Sequence, residues 1–115
     1  MALAVWLHPP DGAARQSAIY LNQKFYELIF NTCRSEHDPY QVLREIAWLK
    51  YKSPPLIISV ERLEILDTEL RRLEESGASH PQIAEFRRVS AKAIVDGCSL
   101  SITGDMYPEL WKKQT

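Results

Sequence analysis

Glycine is scarce in this chain: four residues in 115, each standing alone. No G-x-x-x-x-G-K-[ST] and no G-x-G-x-x-G occurs, so no glycine-rich loop cradles a phosphate. G-x-S-x-G and H-E-x-x-H are missing too, and with them the sequence marks of a hydrolase elbow and a helical zinc protease. A surplus of one charge is also lacking. Fourteen basic side chains stand against 15 acidic ones, a formal net charge of -1. Nucleic-acid modules draw affinity from phosphate neutralisation and carry a basic excess, so no nucleic-acid partner is expected. No apolar run approaches the ~20 residues needed to cross a bilayer. The opening MALAVWLHPP has no basic n-region, and Pro9 and Pro10 cut it short. No membrane partner and a cytoplasmic location are therefore expected. The two cysteines, Cys33 and Cys98, fit reduced thiols, and their spacing does not decide whether they bridge.

The remaining composition is that of an ordinary globular protein, 45% hydrophobic and 25% charged. The length suits one domain, residues 1–115, with a core that needs no disulfide or metal. The expected class is α+β and predominantly helical, with about four helices. Leu3 to His8 reads as a short strand closed by the turn signal PPDG. Arg15 to Cys33 reads as a helix: Ala18, Leu21, Phe25, Leu28 and Ile29 follow its period, and Ile19, Tyr26 and Phe30 widen the stripe. A second helix is expected from Pro39 to about Lys52, with Asp38 as N-cap, Pro39 at N1 and Gln41 completing a capping box. Pro55 to Ile58 is apolar, either a strand or an extended lead-in.

Helices over 59–76 and 81–96 form an antiparallel αα-hairpin. Ser59 caps the first, whose Val60, Leu63, Leu66, Leu70 and Leu73 make one apolar face. Gly77 ends it. His80 or Ser79 caps the second, with Pro81 at N1, and Gly97 ends that helix. Cys98, Leu100 and Ile102 alternate with Ser99, Ser101 and Thr103, a half-buried strand over 98–103. It is the natural partner of the N-terminal strand over 3–8, since a lone strand is not stable.

The stretch Asn31 to Tyr40, NTCRSEHDPY, packs a cysteine, a glutamate, a histidine and an aspartate together. A cysteine nucleophile needs an imidazole within hydrogen-bond reach, and zinc needs about four ligands. Cys33, His37, His8, His80 and Cys98 are scattered, with no C-x-x-C or H-x-x-x-H pair. The stretch is better read as one helix ending and another starting. No catalytic residue, metal site or cofactor is assigned.

The leading expectation is a non-enzymatic protein-interaction module, such as an inhibitor or immunity-type protein that occludes a partner's active site. Asp67, Glu69, Glu74 and Glu75 would meet a basic cleft, and the tail residues Tyr107, Leu110 and Trp111 would anchor it. A self-associating helical protein is the second reading, its interface made by the 15–33 stripe and the leucines of 59–76. A small enzyme using Cys33 with His37, or His80 with Cys98, is the third. A ligand pocket lined by Tyr20, Phe25 and Trp48 is its non-catalytic form.

Overall fold

The computed structural model describes residues 2–35, 37–50 and 53–105. Strand β1 (Ala2–His8) turns through Pro9–Gly12 into β2 (Gln16–Leu21). Helices α1 (Gln23–Thr32) and α2 (Val42–Ala47) follow, then the three-residue strand β3 (Leu56–Ile58). Helices α3 (Val60–Glu75) and α4 (Pro81–Asp96) form the expected hairpin, and β4 (Ser99–Asp105) closes the described chain. The sheet order is β2-β1-β4-β3, and every neighbouring pair is antiparallel. The fold is α+β, and the N- and C-terminal strands pair as expected, Val5 opposite Ile102 and Leu7 opposite Leu100.

Two helices differ most from the sequence reading. The helix expected from Arg15 starts only at Gln23, and Gln16–Leu21 is a strand instead. The 3.6-residue period across Ala18, Leu21 and Phe25 also fits a strand running into a helix. Ile19 and Leu21 pair with Val5 and Leu3, which sends both toward the core by strand alternation. Asn22 marks the change of period. Its dihedrals are extended, and its side-chain oxygen accepts from the Phe25 amide at 2.9 Å, the N-cap bond of α1. The second helix is likewise shorter than expected, Val42–Ala47 rather than 39–52. Tyr51 and Lys52 of that span lie outside the described residues. The Pro55–Ile58 run resolves into a strand, with Leu56 opposite Ile102 and Ile58 opposite Leu100.

The helices lie on one face of the sheet. Leu3, Val5, Leu21, Ile58, Leu100 and Ile102 are buried there with Phe25 and Ile29 of α1, Leu63, Leu66, Leu70 and Leu73 of α3, and Ile83, Phe86 and Ala93 of α4. Phe25 meets Phe86 edge-to-face at 6.2 Å, which ties α1 to α4. Strand alternation puts Ala4, Trp6, His8, Tyr20, Ile57, Ser101 and Thr103 on the opposite face. Trp6, Tyr20 and Ile57 are outside the core cluster. On that face the Arg15 guanidinium lies 4.2 Å over the Trp6 ring. His8 Nε2 lies 2.7 Å from Ser101 Oγ.

The C-terminal ends of α3 and α4 and the start of α4 follow the expected chemistry, whereas Ser59 stands at the N-cap of α3 with extended dihedrals but makes no side-chain cap hydrogen bond. Gly77 and Gly97 both have positive φ, 94° and 69°. Pro81 is the first residue of α4, and His80 is its N-cap: Nδ1 accepts from the Gln82 amide at 3.1 Å. That bond needs the neutral ring with its proton on Nε2. Gln82 in turn reaches across to the first hairpin. Its Oε1 accepts from the Asn22 amide and its Nε2 donates to the Tyr20 carbonyl, both at 2.8 Å. The side-chain amide thus occupies backbone groups at the end of β2, an edge strand.

Candidate interaction surface

The segment from Cys33 to Tyr40 is organised by one carboxylate. Asp38 Oδ2 accepts from the Ser35 amide at 3.1 Å and Oδ1 from the Tyr40 amide at 3.0 Å. Arg44 closes the turn with an ion pair of 2.9 Å to Oδ1. Burial by itself would push the Asp38 carboxyl up. The Arg44 guanidinium and the two amides outweigh it and hold it below the usual carboxylate range. Asp38 therefore caps the turn rather than α2.

The α2 cap comes from Glu69, one helix away. Glu69 Oε2 accepts from the amides of Gln41 and Val42 at 3.0 and 3.2 Å, and Oε1 from Leu43 at 2.9 Å. A carboxylate at a helix start satisfies otherwise unpaired donors and suits the positive end of the dipole. The local pattern Asp38-Pro39-Tyr40-Gln41 pointed to Asp38 because sequence spacing shows only neighbours. A cap supplied from another helix leaves no local trace.

This changes the acidic surface expected on α3. Glu69 is 3% exposed and faces inward. Asp67 is shared by Arg71, at 3.5 Å, and Arg87 Nε, at 3.6 Å. Glu74 is paired with Arg87 Nη1 at 3.1 Å. Glu75 is exposed. The described geometry therefore brings Asp67 and Glu74 together around Arg87, not with Glu69. Tyr107, Leu110 and Trp111 lie outside the described residues. The α3 leucines considered for self-association, Leu63, Leu66, Leu70 and Leu73, are wholly buried in the protein's own core.

Cys33 is also fully buried. Burial, with the negative charges of Asp38 and Glu69 beside it and Arg44 opposing, pushes its thiol up to about 12. A nucleophilic cysteine needs the opposite, an electropositive and accessible surrounding. His37 is exposed, and its amide donates to Ser35 Oγ at 3.1 Å. Cys33 and Cys98 are both free thiols. Of the residues considered for a ligand pocket, Phe25 is buried in the core, while Trp48 is 51% exposed. Among the described residues, no group of three His, Cys, Asp or Glu side chains is placed to hold a metal ion. No helix among them is long and apolar enough to cross a membrane.

One corner of the helical layer does present large apolar groups to solvent. Tyr26 and Phe30 are one turn apart on α1, and their rings stack at 5.9 Å with 28° between planes. The Tyr26 hydroxyl donates to the Ala47 carbonyl at 3.0 Å, which fixes the pair against the end of α2. Trp48 follows directly as the α2 C-cap residue. Phe30 is 45% exposed and Trp48 51%. The sequence held the signal in the i, i+4 pair Tyr26 and Phe30, which runs beside the buried pair Phe25 and Ile29. The outer margin of the stripe that Tyr26 and Phe30 widen faces water.

Set against known protein families, curated proteins and solved structures, the chain matches none of them.

Proposed function

We propose that the chain is a non-enzymatic protein-binding module whose contact surface is the Tyr26–Phe30–Trp48 corner. An inhibitor or immunity-type protein that occludes a partner's site is the form this reading takes. The observation that carries it is the pair of half-exposed rings, Phe30 and Trp48, placed on fixed helical elements. Aromatic side chains present much area at small entropic cost and dominate interface energies once buried. The Tyr26 hydrogen bond and the Phe30 stacking order the surface before a partner arrives, which lowers the cost of binding.

The test compares the wild-type chain with the double variant Phe30→Ser/Trp48→Ser as bait in lysate of the native source. The reading expects a stoichiometric protein retained by the wild type and lost by the variant, with both baits equally folded. A partner held equally by both would place the contact elsewhere.

Self-association is the second reading, and it now rests on a different surface. The sheet face away from the helices carries Trp6, Tyr20 and Ile57, and Ile57 is 56% exposed. Sedimentation over a wide concentration range distinguishes the two. A monomer throughout removes self-association, and a dimer dissociated by Ile57→Lys supports it.

A further inference from the structure

A cleft of about 370 Å³ opens between β1, β2 and the C-terminal half of α4. The chain builds it through two local features. The β1–β2 ladder shifts register between Val5 and Trp6, where Ala18 is the extra residue, and such a bulge bends its strand. Gly97, in the left-handed conformation, reverses the chain after α4, so Cys98 comes back under the last turn with its amide donating to the Ala93 carbonyl at 2.8 Å. The cleft walls then include apolar Leu7, Ala18 and Val89, with Gln16 at the β2 side. The volume lies within the range of small-molecule sites, about 300–1,000 Å³.

Lys92 and Asp96 stand on its rim. They are four apart on α4, yet they form no ion pair with each other or with any other described residue. Asp96 is also the last residue of α4, whose final turn carries no basic residue. A carboxylate at the negative end of a helix dipole is unfavourable without a cation. The site therefore offers a place for a positive group at Asp96, one for a negative group a turn earlier at Lys92, and an apolar wall beside them.

We infer that this cleft binds a free α-amino acid with an aliphatic side chain. Its ammonium sits at Asp96, its carboxylate at Lys92, and its side chain against Leu7, Ala18 and Val89. A simple anion would meet Asp96, and a simple cation would meet Lys92; a ligand carrying both charges complements the two exposed groups together. The inference does not depend on the aromatic corner.

The test titrates the full chain with L-leucine, 4-methylpentanoate and isopentylamine, following backbone amide signals by NMR. Leucine is expected to give saturable shifts at Ala18, Val89 and Cys98. The two analogues, each lacking one charge, are expected to bind at least about tenfold more weakly, the loss of roughly one ionic contact. Asp96→Asn should weaken leucine about tenfold while the melting temperature does not fall, because the exposed carboxylate stabilises nothing in the free chain. Equal binding of the three compounds, shifts confined to other residues, or no saturation by about 10 mM would overturn the inference.

Discussion

Removing the Glu69 carboxylate would strand the amides of Gln41, Val42 and Leu43 at a buried helix start. Each unsatisfied buried donor costs about 1–3 kcal/mol, and water can reach the partly exposed Gln41 end, so Glu69→Ala is expected to cost about 2–4 kcal/mol in urea unfolding. Glu69→Gln keeps one acceptor and should lose roughly half of that. A loss below about 0.5 kcal/mol, the level of an ordinary surface substitution, would show that the cap is dispensable. Cys33 makes a second prediction, in pH. Its folded-state pKa is raised to about 12, so the stability it contributes is whole below the pKa of the unfolded thiol, about 8.5, and is lost as pH rises through about 12. Tyr26 and Tyr40, both raised chiefly by burial, act in the same direction. The melting temperature should therefore fall on the alkaline side, and less steeply in Cys33→Ala. Alkylation of Cys33 should also rise with urea in step with unfolding; fast labelling in native buffer would contradict its burial.

At the scale of elements, what was legible in the sequence is what a local pattern can encode. The α3–α4 hairpin came from leucines at steps of three and four, from Pro81 at N1, and from glycines at the ends, all properties of neighbouring residues. The β1–β4 pairing was legible because a lone strand needs a partner and β4 alternates cleanly. The start of α1 was not legible, since Ala18, Leu21 and Phe25 suit either period, and only pairing with β1 decides for a strand. The α2 cap and the aromatic corner depend on which side chains of distant elements meet, and no spacing records that. Gln82 belongs to this group. Its amide holds both Tyr20 and Asn22 and so joins the α4 start to the β2–α1 junction. Gln82→Ala should cost about 1–2 kcal/mol for the two bonds. Hydrogen exchange at the Asn22 amide is the more specific readout. It should accelerate at least tenfold in the variant while core amides of α3 slow or speed only with global stability. An unchanged Asn22 rate would mean that the Gln82 contact does not hold the junction.

For the whole molecule, the layered architecture sets where a side chain's loss is felt as stability and where as binding. Between the helices and the sheet, Phe25 is fully buried and touches both Phe86 and His80 edge-on. Phe25→Ala should cost about 3–5 kcal/mol, as transfer and cavity terms add. Phe30 lies only five positions further along the same helix, but its ring is 45% exposed. Stacking with Tyr26 is worth about 0.5–1.5 kcal/mol, so Phe30→Ser should cost about that. Trp48→Ser, with half of its surface already in water, should cost about 1 kcal/mol or less. The double variant is then expected to remain folded, with a midpoint close to that of the wild type and far above that of Phe25→Ala. That ordering is what gives the binding test its meaning, because a partner lost by a well-folded variant was lost at the surface. If Phe30→Ser/Trp48→Ser instead unfolds as readily as Phe25→Ala, the two rings are part of the core. The aromatic corner would then no longer support an interaction surface, and the sheet face that carries Ile57 would become the first place to look.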